Sequence, residues 1–240
     1  MTDRIEKAYY LKQEELAVLL TMNGVRQLYG FRMDTDVDMD REKLNKILFE
    51  MNRKNILSVS ENHIRMDEDL SAVLKDLAQA ETVLILTGTE EYPECCIYVG
   101  QNLIFVHLLG HSGQIYRIEP VERKEACSKM REYGFLVPGV LEKRQAYLGD
   151  GEAQEEHLQI KELARKLYGQ EKDNIMRQEE VRCCLAQYSV VQTRKVRQLL
   201  IINGGLEDYL ACSDEAKDLV YAYSDEKANE LLTQMMGGFL

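Results

Sequence analysis

The sequence predicts an α+β fold of two similar halves, in which antiparallel β-meanders and helices are arranged about a quasi-two-fold axis. Short apolar segments separated by glycine and polar turns, the pattern of an antiparallel meander, occur in two regions of the chain. Before and after them lie segments whose apolar residues recur every three or four positions, as in amphipathic helices. Each half is therefore expected to be a sheet covered by helices.

The first elements are a strand and two helices. Residues 8–11 are apolar and lead into a predicted helix that ends near Asn23 and Gly24, a common C-terminal stop. Asp40 is placed to cap a second helix that runs to about Arg53, with its apolar residues on one face.

A hairpin, a third helix and a meander follow. Segments 56–59 and 63–66 flank a polar turn and predict a small β-hairpin, and the apolar spacing of 70–80 predicts a helix. Pro120 is expected to begin a further helix over 121–132, because proline is tolerated in a first helical turn. The meander strands between these helices are predicted at 82–87, 95–99, 103–109 and 114–119.

The second half begins after a segment that contains Pro138 and several glycines. Residues 134–154 are interpreted as a linker between an N-terminal half, 1–133, and a C-terminal half, 155–240, which pack as one compact unit. Helical patches are expected around 157–167 and 173–176. They are followed by apolar segments at 181–191, 193–203, 209–212 and 219–223, and by a final helix at 225–236.

The two halves end alike, which suggests an internal repeat. An alternating strand at 114–120 leads into a helix that reaches Met130, and a similar strand at 219–225 leads into one that reaches Met235. A double cysteine lies upstream of each unit. We interpret this as a degenerate duplication, with a chance similarity between α+β junctions as the alternative.

Composition argues against several classes of function. The 240 residues include 30 basic and 41 acidic side chains, a net charge of −11, which disfavours binding to nucleic acid. The apolar runs are too short to cross a bilayer, and the first ten residues contain no apolar leader segment. We therefore expect a cytoplasmic protein without membrane contact, in which the six cysteines are reduced and mostly buried.

No motif predicts a metal site. His107 and His111 are four residues apart, but they lie on a strand that ends in a turn and lack the glutamate of a zinc helix. The alternating carboxylates of 34–40 resemble the start of a calcium loop. That loop requires a central glycine and a twelfth-position glutamate, where this chain has Asn45.

No motif predicts catalysis either. Residues 110–113 lack the strand–turn–helix context of a nucleophile elbow, and the glycine pair 204–205 is not followed by the lysine of a phosphate-binding loop. We expect a binding protein that is not an enzyme and that needs no cofactor.

The main alternative is a winged-helix DNA-binding regulator. A helix followed by a hairpin has this outline, and the exposed face of the helix after Asp40 carries cations that could meet phosphates. Glu42 and Glu50 interrupt that face. The cations are Lys43, Lys46, Arg53 and Lys54.

Partner-binding candidates are aromatic and methionine residues in loops and at the C-terminus, since such side chains often anchor interfaces. The apolar C-terminal tail that follows Gly238 either packs on the core or contacts a second subunit. A homo-oligomer is therefore one of the alternatives. The candidates are Tyr29, Phe31, Tyr92, Met235, Met236 and Phe239.

The order of elements resembles the EspG family of type VII (ESX) secretion-associated chaperones and its Gram-positive relatives. An amphipathic opening helix at 14–20 precedes a compact helical unit, and a meander then enters a helix near Pro120 before the unit recurs. The resemblance implies a quasi-symmetric fold. It also implies that the protein binds a secreted substrate in the cytosol and contacts the tip of the helical-hairpin complex that this substrate forms. Because the chain has no tryptophan, which such substrates usually carry in their turn, it is not expected to be the substrate itself.

Overall fold

The computed structural model describes residues 7–25, 28–30, 40–60, 63–87, 95–109, 115–136, 181–203, 208–214 and 218–237. The chain forms two compact units. Unit 1 comprises Met1–Val83 and Cys95–Arg123, and unit 2 comprises Leu84–Glu94 and Lys124–Leu240.

The helices of unit 1 begin where the sequence places capping residues. The side chain of Asp40 accepts a hydrogen bond from the backbone N–H of Lys43 at 2.7 Å, and Asp67 accepts one from Leu70 at 2.9 Å. Gly24 has a φ of +73° just after the first helix, a conformation that glycine adopts without strain. The helices are α1 Gln13–Met22, α2 Arg41–Arg53 and α3 Glu68–Ala78.

The strands of unit 1 form an antiparallel sheet and a separate hairpin. They are β1 Tyr9–Lys12, β2 Leu57–Ser60, β3 His63–Met66, β5 Cys95–Val99, β6 Leu103–Leu109 and β7 Ile115–Val121, while β4 Thr82–Thr87 runs from unit 1 into unit 2. The order within the unit 1 sheet is β1-β7-β6-β5, and β2 pairs with β3 alone. Helices and sheet share a core that includes Leu11, Leu16, Met51, Leu74 and Phe105.

The prediction that Pro120 begins a helix is wrong. Pro120 lies inside β7, and α4 begins only at Ala126. Val121 is 4% exposed and pairs with Leu103 of β6, so burial of its side chain keeps the backbone extended. β1 pairs with β7 only as far as Ile118, so Pro120 lies beyond β1, where a missing N–H is tolerated.

In its described part, unit 2 combines a second antiparallel meander with two helices. Ser224 caps the last helix by accepting a hydrogen bond from the N–H of Lys227 at 3.1 Å, and Arg131 of the first helix donates to Asp225 and Asn229 of the last. The strand order is β4-β8-β9-β10-β11. The elements are α4 Ala126–Glu132 after a 3-10 turn at Arg123–Glu125, β8 Val181–Ser189, β9 Arg194–Asn203, β10 Asp208–Asp214, β11 Asp218–Ala222 and α5 Asp225–Met235.

The α+β class with antiparallel meanders is therefore confirmed. The quasi-two-fold axis and the duplication stay predictions. The two strand–helix junctions differ, because Ser224 caps α5 through its side chain whereas α4 follows a 3-10 turn without a side-chain cap. The predicted boundaries at 133, 134–154 and 155 also stay predictions, and residues 137–180, with the helical patches expected there, lie outside the described residues.

Candidate protein-binding surfaces

The β2–β3 hairpin has one apolar face that runs from the core out to solvent. At its base Leu57 is 3% exposed and lies opposite Met66. Two residues further along the same face, Val59 lies opposite Ile64, and these side chains are 46% and 44% exposed. The hairpin thus carries an apolar pair beyond the point where the core covers it.

Helix α2 carries an exposed aromatic side chain one turn before the residue that is hydrogen-bonded to the hairpin. The side-chain oxygen of Asn52 accepts a hydrogen bond from the N–H of Val59 at 3.3 Å, which holds the hairpin against the helix. Phe49 precedes Asn52 by three residues, the spacing of neighbours on a helix surface, and is 64% exposed. We call Phe49, Val59 and Ile64 the hairpin surface.

A cleft of about 410 Å³ lies beside strand β1 in the same unit. This volume is within the range of about 300–1,000 Å³ that is typical of binding clefts. Its walls come from β1 and the residues before it, from the turn between α2 and β2, and from the start of β7. The lining residues are Lys7, Ala8, Tyr9, Tyr10, Lys12, Lys54, Asn55, Ile56, Asp67 and Ile115.

The lysines that line this cleft form ion pairs with nearby carboxylates. Lys54 Nζ lies 2.6 and 2.8 Å from the two oxygens of Glu15, whose side chain is 1% exposed, and Lys12 Nζ lies 2.8 Å from Glu50. The hydrogen bond to Glu50, with its charge, raises the pKa of Lys12, and the same bond lowers the pKa of Glu50. Lys7 is held more loosely, 3.7 Å from Asp67, and is 53% exposed.

Tyr9 and Asp67 form another part of the cleft wall. The hydroxyl of Tyr9 donates to Asp67 Oδ1 at 3.3 Å. Burial, reinforced by the charge of Asp67, raises the pKa of Tyr9 well above its usual value, so the phenol stays protonated.

A row of polar side chains lies buried in the unit 1 sheet. His107 Nε2 is 3.7 Å from Cys95 Sγ, and Arg117 pairs with Glu119 at 2.8 Å. Burial lowers the pKa of His107 to about 4, and the nearby charge of Arg117 adds to this shift. His107 and Cys95 have no exposed surface, so neither is accessible to a substrate.

Of the histidine pair considered from sequence, His107 is buried in β6 and His111 lies outside the described residues. Within the described ranges, no three His, Cys, Asp or Glu side chains cluster as metal ligands would. No helix in that part of the chain combines the length and apolar composition needed to cross a membrane. The expected absence of a metal or cofactor stays a prediction.

Three of the six partner-binding residues predicted from sequence lie in the described part of the chain, and two of these are buried. Tyr29 is half-buried, and its backbone oxygen accepts a hydrogen bond from the hydroxyl of Tyr98 at 2.6 Å. Met235 and Met236, at 0% and 4% exposure, pack inside the protein. Phe31, Tyr92 and Phe239 lie outside the described residues. The partner-binding role of all six stays a prediction.

The hairpin surface is not among the sites predicted from the sequence, although the sequence contains the alternating pattern that identifies it. Val59 and Ile64 alternate with polar residues in the two arms of the predicted hairpin. That alternation identifies an apolar face, but only the packing shows that the core stops at Leu57.

The cations of the winged-helix alternative lie in different environments. Lys46 and Arg53 are exposed, whereas the ammonium group of Lys54 donates hydrogen bonds to both carboxylate oxygens of Glu15. A helix followed by a hairpin is present, as expected. Recognition of DNA stays a prediction.

The architecture of the chain is similar to that of a solved protein. The chain is similar to the solved structure of the Mycobacterium tuberculosis type VII secretion system chaperone EspG5 in complex with the PE25–PPE41 dimer, with a TM-score of 0.54. The alignment covers 97% of this chain and 95% of that chain at 9% sequence identity. This chain has an EspG-like fold.

No protein-family model and no curated protein sequence matches the chain. At 9% identity the EspG-like fold shows shared architecture alone, and membership of the EspG family stays a prediction.

Proposed function

We propose that the protein is a cytoplasmic chaperone or adaptor that binds a helical substrate of a type VII-like secretion system. The observation that carries the proposal is the EspG-like fold over 97% of the chain, since the similar protein is a chaperone seen with a bound PE25–PPE41 dimer. The proposed role requires burial of a surface and no catalytic group, metal or cofactor.

The hairpin surface supports this role on physical grounds. Three large apolar side chains, 44–64% exposed, belong to helix α2 and the β2–β3 hairpin, which are joined by the hydrogen bond between Val59 and Asn52. Covering the exposed part of each such side chain contributes roughly 1 kcal/mol to binding. Polar residues on the other face of the hairpin, Ser58, Ser60, His63 and Arg65, form a hydrophilic border.

The proposal is tested by affinity purification of the tagged protein from its native host. The expected result is a helical secreted protein in nearly equal amount to the bait. The paired replacement Val59→Lys with Ile64→Lys, and separately Phe49→Asp, should lower its recovery at least about tenfold, equivalent to about 1.4 kcal/mol.

Val191→Asp provides the matched control. Val191 is 73% exposed in the turn after β8 of unit 2, far along the chain from the hairpin surface, so its replacement should leave recovery unchanged. Equal loss in the control, no loss in the hairpin variants, or recovery of nucleic acid alone would contradict the proposal.

A further inference from the structure

The exposed aromatic side chain of α2 lies between two cations. Lys46 precedes Phe49 by three residues and Arg53 follows it by four, so both are its neighbours on the helix surface. All three side chains are exposed, Phe49 by 64%. The other two neighbours at this spacing, Asn45 and Asn52, are neutral amides. The neighbours of Phe49 along this face of the helix therefore carry positive charge and no negative charge.

These two cations take part in no ion pair within the described part of the chain, in contrast to the lysines that line the cleft. Glu50 accepts a hydrogen bond from Lys12 at 2.8 Å, and this bond lowers the pKa of Glu50 more than the charge of Lys46 does. Glu42 lies four residues before Lys46 and forms no ion pair with it. Lys46 and Arg53 are therefore available to carboxylates of a partner.

The charge around α2 stays positive when the ion-pair partners of the helix are counted. Residues 40–54 contain five cations and three carboxylates. Lys12 and Glu15, which pair with Glu50 and Lys54, cancel each other. The hairpin that follows adds one cation and one carboxylate. The sum is +2 in a chain whose net charge is −11, and this local excess favours an acidic partner over a basic one.

The spacing of the two cations suits a partner helix that lies along α2. Lys46 and Arg53 are two helical turns apart, about 10 Å along the axis. A helix that crosses α2 at about 20°, the angle common in bundles, can contact both. Carboxylates two turns apart on that helix, with an apolar residue between them, match the order of cation, Phe49 and cation.

We propose that the hairpin surface selects a helix in which two acidic residues, two turns apart, flank an apolar residue. Lys46 and Arg53 each receive one of the carboxylates, and Phe49 packs against the apolar side chain between them. That the partner is a helix rests on the proposed function. The two cations add the selection of an acidic helix over a basic one.

The test uses the full chain and two fluorescein-labelled, alanine-rich peptides of about 20 residues, a length at which such peptides form helices. Both carry leucines midway between two charged positions that are two turns apart. One peptide has glutamates at these positions and its twin has lysines. Fluorescence anisotropy should show that the glutamate peptide binds at least about tenfold more tightly. A rising salt concentration should narrow the difference, since both cations of the protein are exposed.

Replacing Lys46→Glu with Arg53→Glu should reverse the preference between the peptides. Lys75→Glu with Lys195→Glu is the matched control, because it changes the net charge equally at exposed lysines of α3 and β9. It should leave the preference unchanged. Phe49→Ala should weaken binding of both peptides alike, since it removes an apolar contact and no charge. Circular dichroism verifies that each variant is folded.

Equal binding of the two peptides, binding of neither, or a reversal in the control variant would overturn the proposal. Recovery of a helical partner from the host gives a separate result. If Lys46→Glu with Arg53→Glu leaves recovery unchanged while Val59→Lys with Ile64→Lys abolishes it, this inference fails and the chaperone role stands. If the glutamate peptide is preferred but no secreted protein is recovered, the charge selection stands and the chaperone role fails.

Discussion

Glu15 is a buried carboxylate whose bonding partners come from two elements. It accepts hydrogen bonds from the N–H of Lys12, at the start of its own helix, and from the ammonium of Lys54, after the end of α2. A buried acceptor with such partners stabilises the fold mainly because its loss leaves those donors unsatisfied. Glu15 therefore connects α1 to the turn that forms one wall of the cleft.

We expect Glu15→Ala to lower the free energy of unfolding by about 1–3 kcal/mol, measured by urea denaturation. The side chain of Lys54 is 40% exposed and its ammonium regains water, so most of the loss comes from the N–H of Lys12 and the emptied space. Glu14→Ala in the same helical turn is the control, with an expected change below about 0.5 kcal/mol. Equal effects of the two replacements would contradict this role for Glu15.

His107 makes stability depend on pH because its side chain is buried in the neutral form. Its pKa is about 4 in the folded protein against an ordinary value of 6.5. Below pH 6.5 the unfolded chain takes up a proton that the folded protein does not, so stability falls as the pH falls toward 4. Above pH 6.5 this side chain makes no pH-dependent contribution.

The expected loss between neutral pH and about pH 5 is on the order of 2 kcal/mol. Urea denaturation at both pH values, compared between the wild type and His107→Gln, isolates this contribution because glutamine does not titrate. The wild type should lose more stability than the variant on acidification. Parallel losses would show that other groups cause the acid sensitivity.

Buried cysteines are a further property at the residue scale. Five of the six free cysteines are buried, and Cys127 is half-buried. Burial raises the pKa of Cys183 to about 12, and burial also raises the pKa of Cys184. These thiols stay protonated at neutral pH and pack as small apolar groups.

At the scale of elements, side-chain caps set where helices begin. Asp40, Asp67 and Ser224 each accept a hydrogen bond from a backbone N–H three residues further along. Without such caps the first N–H groups of a helix lack partners. The cap at Asp40 also fixes the start of the helix that carries Phe49.

We expect Asp40→Ala to lower the free energy of unfolding by about 1 kcal/mol. The aspartate side chain accepts from Lys43 N–H at 2.7 Å, and alanine cannot replace this bond. Urea denaturation gives the value, and Asp40→Asn, which retains an acceptor, should restore most of it. A full loss in the asparagine variant would point to helix-dipole electrostatics as the main contribution.

At the scale of the whole molecule, the acidic composition opposes binding to DNA. A net charge of −11 repels a phosphate backbone, and the cation at Lys54 is already paired with Glu15. DNA affinity at physiological salt depends on the release of counterions by clustered lysines and arginines. The exposed Lys46 and Arg53 make a small cluster in comparison.

We expect no measurable binding of a random-sequence DNA duplex at physiological salt by fluorescence anisotropy. Any weak binding at low salt should disappear as the salt concentration rises, since it would be non-specific. Lys46→Glu with Arg53→Glu is the control for residual electrostatic contacts. Tight binding at physiological salt that this double variant abolishes would favour the winged-helix alternative.

The α+β class and most of the elements follow from local chemistry that is visible in the sequence. Capping aspartates followed by apolar residues at helical spacing located α2 and α3, and alternating segments between glycines located the meander strands. These helices and strands depend on the order of polar and apolar residues that are close together in the chain.

Tertiary structure alone decided where burial begins and ends. The side chain of Val121 is buried opposite Leu103. This burial keeps Pro120 in a strand, although the local sequence favours the start of a helix. Val59 and Ile64 lie on an apolar face that the core leaves half uncovered. Which segments lie against a strand edge or a hairpin depends on contacts between residues far apart in the chain, and local patterns do not encode these contacts.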